Sequence, residues 1–261
     1  MSLILPRGPR LSRRALLATG SAAAGMLAMP AILRASNGPV FTHGVQSGDA
    51  SASGGMVWTR VDRPSRILLE VSTTESFADA RRVAQLTALP DSDMAVKCLI
   101  DGVAPDQRVF YRFTATDLSD VNSTGQPVTG QFRAAPTQKR DIRFGWSGDT
   151  AGQGFGIPEE GMRTYAAMSG HELDFFIHSG DTIYADGPIK AEQEHAGGVW
   201  KNVVVIPEVE KVAETLDEFR GRYKYNQMDR FVQSFCSEVP FYYQWDDHEV
   251  TNNWFHERVI E

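Results

Sequence analysis

The sequence is poor in cysteine, because only Cys98 and Cys236 occur among its 261 residues. Two thiols can neither form a dense disulfide framework nor supply a four-thiolate zinc site. Nothing in the sequence places these two cysteines near each other. We therefore expect two unpaired, mostly buried thiols.

Positive charge is also scarce. The chain has 26 Lys and Arg against 33 Asp and Glu, a formal net charge of -7. A nucleic-acid-binding domain needs a basic surface, so no nucleic-acid-binding surface is evident here. The apolar content of 42% and the charged content of 23% are ordinary for a folded chain and exclude global disorder.

Long apolar runs and nucleotide-binding motifs are missing too. The uncharged stretch from Ala15 to Met29 is rich in Ala and Gly and is too short for a membrane span, which needs about 20 residues. The glycine-rich segment 152–156 lacks the Gly-Lys-Ser/Thr ending of a P-loop and the spacing of a dinucleotide fingerprint. We interpret it as a flexible turn that lines a site, and the class of nucleotide-binding α/β proteins is excluded.

Acidic residues are absent from the first 48 positions. Residues 12–17 have the sequence Ser-Arg-Arg-Ala-Leu-Leu, a twin-arginine pattern ahead of the uncharged stretch. The pattern indicates a twin-arginine signal peptide over residues 1–36, and hence a periplasmic or secreted protein without a stable membrane anchor after cleavage. The alternative is a basic tail on a cytosolic protein. The route resembles one that exports folded proteins, often with the cofactor loaded, so it indicates a metal or cofactor in the mature protein.

The segment 38–135 has the pattern of an all-β domain. Strand-like runs of β-branched and aromatic residues, separated by Gly, Pro, Asp and Ser, occur at 57–61, 67–71, 94–100 and 108–115. Short strands with regular turn signals predict a sandwich of the Ig/fibronectin-like type. A linker follows at 134–139.

From residue 140 the rhythm changes to strand, loop, helix, strand. We predict strands over 142–146, 173–178 and 241–245, a helix that begins at Pro158, and helical structure over 212–235. This alternation predicts an α/β domain over residues 140–261.

Each of these three strands is followed by a carboxylate: Asp149, Asp181 and Asp247. Sites in open α/β sheets form at the carboxyl ends of the strands. Carboxylates gathered there repel one another unless a cation lies between them. A pair of cations can clamp a phosphate and generate hydroxide from water, so the arrangement predicts metal-assisted hydrolysis.

The run Asp246-Asp247-His248-Glu249 strengthens this prediction. Four consecutive ionisable residues directly after an aromatic strand do not suit a core or an ordinary solvated face. We therefore expect a functional site at this turn.

Four stretches of the chain together resemble the alkaline phosphatase D (PhoD-like) family of the calcineurin-like metallophosphoesterase superfamily. They are 41–49 with 57–60, which resemble the start of the family's N-terminal β-sandwich domain, and three metal motifs at 147–150, 178–184 and 245–250. The resemblance implies a metallophosphatase domain of the four-layer α/β/β/α type after the sandwich. It also implies a hydrolase of the alkaline phosphatase and phosphodiesterase type.

The resemblance assigns roles residue by residue. Asp181 corresponds to the carboxylate that bridges two metals, and Tyr184 to a tyrosine that binds ferric iron. Asp149 and Asp247 correspond to further ligands. His248 corresponds to the catalytic histidine that contacts phosphate and protonates the leaving oxygen.

Three neighbouring residues are expected to support the ligands rather than bind metal. We expect Asp246 and Glu249 to orient neighbours, and His178 to form hydrogen bonds behind the site or to be a buried structural histidine.

The metals implied are Fe(3+) and Ca(2+), with Mn, Mg or Zn also compatible with an oxygen-rich site. The chain departs from the family pattern at the first motif. Many members have a cysteine iron ligand where this chain has Asp149, and the wider superfamily has a histidine where it has Ala151.

The family's further histidine ligands would follow the third motif, and we expect the metallophosphatase domain to be truncated, as in an N-terminal fragment. The function predicted is an exported phosphoesterase that acts on phosphomonoesters or phosphodiesters through metal-activated hydroxide. The alternative is a non-catalytic β-sandwich binding protein with an incomplete phosphatase domain. The sequence leaves the oligomeric state open.

Overall fold

The computed structural model describes residues 38–259. The predicted signal peptide therefore lies outside the described residues. Within them the chain forms twelve strands and three α-helices. None of these helices is long and apolar enough to cross a membrane.

The first seven strands form two antiparallel arrangements that share one core. They are β1 (Phe41–Gly48), β2 (Gly54–Val61), β3 (Ser65–Ser72), β4 (Arg81–Ala88), β5 (Ala95–Asp101), β6 (Arg108–Asp117) and β7 (Val128–Arg133). One sheet has the order β4-β3-β6-β7, and β5-β2-β1 lie side by side in the other. Alternate residues such as Val57, Leu69 and Phe113 are fully buried between them. The expected sandwich is therefore present, although its detailed Ig/fibronectin-like type stays a prediction.

Three parallel strands follow in the second half of the chain. They are β8 (Phe144–Ser147), β9 (Phe175–His178) and β12 (Phe241–Tyr243), with the order β12-β9-β8. Between β9 and β12 lie a two-stranded hairpin, β10 (Glu192–His195) and β11 (Gly198–Lys201), and two helices. A 3₁₀ turn at Pro207–Val209 connects them, as another at Pro90–Ser92 precedes β5.

The three helices are α1 (Arg163–Ser169), α2 (Leu216–Asn226) and α3 (Arg230–Glu238). Helices α1 and α3 cover one face of the parallel strands, and α2 packs beside the 3₁₀ turn at Pro207–Val209. The apolar residues Val232, Phe235 and Cys236 of α3 have helical spacing and pack with Phe176 of β9 and Phe241 of β12. This second core fixes where the strands end, and so where the loops after them begin.

The opposite face of the same strands is open and aromatic. Phe144 and Trp146 of β8 are 53% and 71% exposed. The ring of Phe144 stacks on Phe175 at 5.3 Å between centroids, and Phe175 meets Tyr242 edge-on. Since side chains alternate across a strand, these rings point away from the helices.

The two halves of the chain share one six-stranded sheet, β5-β2-β1-β12-β9-β8. Gly48 at the end of β1 pairs with Phe241 at the start of β12. Arg140 also joins the halves, because it donates to Asp106 at 2.7 Å and to Asp174 at 2.7 Å. The domain limits 38–135 and 140–261 stay a prediction, but hydrogen bonding in the sheet runs across them.

Several predicted elements have different limits. The helix expected from Pro158 begins only at Arg163, because Gly161 adopts a left-handed φ of 77° and the Met162 N–H donates to Asp229 instead of to a helical carbonyl. The helical segment over 212–235 is two helices that Asp229 separates.

Strand limits also differ at both ends. The strand expected from residue 142 begins at Phe144, and the one expected to reach Trp245 ends at Tyr243. The strand expected from Leu173 begins at Phe175. The unpaired thiols are confirmed, since Cys98 and Cys236 are both free; Cys236 is buried and Cys98 is partly buried.

Candidate metal centre

The loops after β8, β9 and β12 meet at one end of the sheet. Asp149 and Asp181 both adopt the left-handed conformation, with φ of 59° and 51°. Aspartate tolerates this conformation better than most residues. The Asp149 N–H donates to the Gly180 carbonyl at 3.2 Å and the Thr150 N–H to the Asp181 carbonyl at 2.8 Å, so the first two loops are fastened together.

Asp181, Asp247 and His248 form a compact group of possible metal ligands. One ligand atom of each lies within 4.8 Å of those of the other two. Asp181 is buried, and its Oδ1 accepts a hydrogen bond from the His248 N–H at 3.2 Å. Burial raises the pKa of Asp181 above its ordinary value, and the charges of Asp149 and Asp247 act in the same direction. A cation between these carboxylates would relieve both effects.

Tyr184 connects Asp149 to this group. Its hydroxyl donates to Asp149 Oδ1 at 2.6 Å, and its ring lies 4.3 Å from that of His248. Burial, together with the hydrogen bond to Asp149, raises the pKa of Tyr184 well above its ordinary value. The structure thus brings all five predicted ligand and catalytic residues into one cluster.

The glycine-rich loop makes room for this tyrosine. A Cβ at Gly152 would lie 2.6 Å from the Tyr184 ring. The loop over 152–156 therefore lines the cluster, as expected, and a larger residue at its first position would displace Tyr184.

Asp186 holds His248 and was not predicted from the sequence. Its two carboxylate oxygens lie 2.8 and 2.9 Å from Nδ1 of His248. A carboxylate only accepts, so Nδ1 carries the proton and Nε2 is left for another partner. Burial lowers the pKa of His248, but Asp186, with help from Asp181 and Asp247, outweighs it and raises that pKa overall.

Glu249 organises the turn that carries Asp181. Its buried carboxylate accepts from the backbone N–H groups of Asp181 at 3.1 Å and Thr182 at 2.6 Å, and from Asp246 at 2.9 Å. All of these partners are backbone groups, so Glu249 acts on the shape of the loop. The Asp246 residue itself is exposed and lies against Gly180.

His178 lies behind the cluster and is almost fully buried. Its Nε2 pairs with Thr150 Oγ1 at 2.8 Å and its Nδ1 with Thr182 Oγ1 at 3.1 Å. Both ring nitrogens are therefore occupied, and burial lowers the pKa of His178. Each threonine directly follows a carboxylate of the cluster, a pairing that the sequence motifs did not reveal.

The donor set suits a hard cation. Carboxylate and phenol oxygens are ligands that Ca²⁺, Mg²⁺, Mn²⁺ and Fe³⁺ accept, and an imidazole extends the range to Zn²⁺. The convergence of Asp181 and Asp247, with the pKa of Asp181 raised, supports a cation at this position.

Sequence comparison places both halves of the chain in one family. The profile described as PhoD-like phosphatase matches residues 144–260, and that of the PhoD-like phosphatase N-terminal domain matches residues 27–136. The chain belongs to the PhoD-like phosphatase family.

Individual relatives agree with this assignment. The chain is 28% identical to alkaline phosphatase D of Bacillus subtilis (strain 168) over 227 residues, which is 82% of this chain and 36% of that protein. It overlays a solved structure of PhoD with a TM-score of 0.66 and 24% identity, covering 82% of this chain and 40% of the other. The chain thus spans about two fifths of the length of the relatives it matches.

A purple acid phosphatase from yellow lupin seeds is a more distant match. It has 12% identity, covers 80% of this chain and 35% of its own, and has a TM-score of 0.44, below the level at which a shared fold follows.

Proposed function

We propose that this chain is the amino-terminal part of an exported, metal-dependent phosphoesterase that hydrolyses phosphomonoesters or phosphodiesters. The observation that carries the proposal is the convergence of Asp181, Asp247 and His248 beside the Tyr184–Asp149 pair at the carboxyl ends of three parallel strands. Membership of the PhoD-like phosphatase family supports the same reaction class.

The chain's own residues divide the work. Asp149, Asp181, Tyr184 and Asp247 would hold the cations, which by family resemblance are Fe(3+) and Ca(2+), with Mn, Mg or Zn as alternatives. When bound, they would neutralise the phosphate and activate water at mild pH. Asp186 holds His248 through Nδ1, and the raised pKa of His248 favours the protonated form that can donate to a leaving oxygen.

The proposal includes a second layer over the open aromatic face of β8 and β9. This face exposes Phe144 and Trp146, and two large neighbouring aromatic side chains are unusual on the surface of a folded domain. The relatives are more than twice as long, so a further segment could supply both this layer and additional ligands. Such a layer would give the α/β/β/α arrangement.

Metal binding by the purified chain tests the proposal. The chain would be treated with chelator, dialysed against each candidate cation and assayed by elemental analysis, with 4-nitrophenyl phosphate and bis(4-nitrophenyl) phosphate as substrates. We expect binding that Asp181→Asn reduces at least tenfold, because the carboxylate at the centre of the cluster is lost.

Asp141→Asn is the matched control, since Asp141 is exposed and its side chain has no partner among the described residues. Equal metal content in wild type and Asp181→Asn would contradict the proposal. A well-folded chain that binds none of the cations would favour the binding-protein alternative.

Export is tested separately with residues 1–36 fused to a folded reporter. We expect transport that replacement of Arg13 and Arg14 by lysine abolishes. Transport that survives this replacement would contradict the twin-arginine route.

A further inference from the structure

A cavity of about 680 Å³ lies between the sandwich and the helices. Its walls come from the outer face of β2, from α2 and from the segment after Phe241. Thr150 and Thr182 also line it, and each directly follows a carboxylate of the metal centre. The cavity therefore adjoins that centre, but none of its five clustered residues lines it.

Aromatic rings form much of the wall. Trp58 projects from β2, Tyr223 from α2, and Tyr243 and Trp245 from the segment after Phe241. Trp245 and Tyr223 keep 71% and 39% of their surface accessible, so these rings are open to a ligand. A volume of this size with aromatic walls is typical of small-molecule sites.

Positive charge exceeds negative charge around this cavity. Arg60 and Lys224 share a single carboxylate, because Asp93 lies 3.1 Å from the guanidinium and 3.0 Å from the ammonium. Burial raises the pKa of Asp93, but these two cations outweigh it and lower that pKa overall, so the carboxylate is charged.

Arg220 adds a third cation, and its ion pair with the exposed Asp217 is long, at 3.7 Å. Such an exposed pair binds weakly and leaves the guanidinium available. Asp49 is the other acid in the wall, so three cations face two anions in a chain whose net charge is -7.

We propose that this cavity binds a planar aromatic group that carries a negative charge. The rings supply stacking surfaces, and Arg220 supplies a positive charge that can pair with the negative charge of the ligand. The inference is independent of phosphate ester hydrolysis, because it requires neither a metal nor any residue of the metal centre.

Calorimetric titration of the chelator-treated chain with 1-naphthalenesulfonate tests the proposal. We expect saturable binding that is weaker by about fivefold or more for cyclohexanesulfonate, which lacks the aromatic plane, and for 1-naphthalenemethanol, which lacks the charge. Equal binding of either comparison compound would overturn the assignment, as would no binding of 1-naphthalenesulfonate at millimolar concentration.

Variants locate the ligand. Tyr223→Ala should weaken binding by about five- to tenfold and Arg220→Gln by about threefold. The controls are Trp146→Ala on the open sheet face and Arg66→Gln on the sandwich surface, both exposed and outside the cavity.

Unchanged affinity in the cavity variants, or a loss in Trp146→Ala, would place the ligand elsewhere and overturn the proposal. Arg220→Gln changes only a surface side chain, so it decides the question even where Tyr223→Ala folds poorly.

Discussion

Asp186 orients the histidine of the candidate metal centre and raises its pKa. Both of its carboxylate oxygens lie within 2.9 Å of His248 Nδ1, and it also accepts from the Asn252 N–H at 2.7 Å. A substitution that removes the carboxylate charge but keeps a hydrogen-bond acceptor therefore separates the effect of the charge from that of the hydrogen bond.

We predict that Asp186→Asn lowers the pKa of His248 toward its ordinary value. Asparagine still accepts from Nδ1, but the charge that favours the imidazolium is gone. The measurement is an NMR titration of the His248 ring protons in the chelator-treated chain, with Asp141→Asn as the control. An unchanged pKa would mean that Asp181 and Asp247 alone sustain the shift.

Gly152 has a packing role that a substitution can isolate. We predict that Gly152→Ala lowers the free energy of unfolding by about 1–3 kcal/mol, because its Cβ would overlap the Tyr184 ring. Gly187→Ala in the following loop is the control, since the nearest atom to its Cβ lies at 3.9 Å. Urea denaturation compares the two, and similar losses would contradict the clash.

At this scale the sequence motifs predict the clustered residues and the supporting residues His178 and Glu249, but they do not reveal Asp186. Asp149, Asp181, Tyr184, Asp247 and His248 belong to motifs at strand ends, where parallel strands bring their loops together. Asp186 carries no motif, and its role depends on how the turn at 247–250 lies over the loop after β9.

At the scale of elements, two helix N-caps differ in the number of backbone N–H groups from which they accept. Thr215 caps α2 in a capping box with Glu218 on the surface. Asp229 caps α3 from a buried position, accepting from Phe231 and Val232, and its second oxygen accepts from the Met162 N–H. Asp229 therefore joins the end of the loop before α1 to the start of α3.

We predict that Asp229→Ala is more destabilising than Thr215→Ala. Loss of the exposed cap should cost about 1 kcal/mol. Loss of the buried one should cost about 2–4 kcal/mol, because three N–H groups, one buried and two partly buried, lose their acceptor. The midpoint of urea denaturation measures both, and equal shifts would show that the Met162 contact adds nothing.

The strands and helices predicted from the sequence agree with the structure where the apolar periodicity is strong. Alternating burial in β2, β3 and β6 matches the runs found in the sequence. The edge strand β4 is largely exposed and has little apolar alternation to detect. Apolar spacing continues through Asp229, so the sequence predicts one helical segment where the structure has two helices. Only the side-chain cap of Asp229 marks the break.

For the whole molecule, the open face of the parallel strands matters most, because it determines where a second layer or another protein copy can pack. Its rings are stacked and exposed on a sheet that is covered on its other side. The four-layer arrangement could be expected from resemblance, but apolar strands alone do not indicate which face a second layer covers.

We predict that this chain self-associates through that face. Trp146→Asp should raise the protein concentration at which self-association occurs. A charge among the stacked rings makes their burial costly. Sedimentation velocity over a range of concentrations measures the effect, with Val121→Asp as the control, since Val121 on a sandwich loop is 65% exposed. Identical behaviour of both variants would exclude the sheet face as the contact.

The shared sheet also sets an order of events during synthesis. Strands β1, β2 and β5 can pair once residue 101 has been made, but the neighbour of Gly48 is Phe241, and Gln233 of α3 lies against Gly44 of β1. A nascent chain shorter than this carries a sandwich with one flank uncovered. The sheet that joins the sandwich to the second half of the chain is therefore completed only after most of the chain has been made.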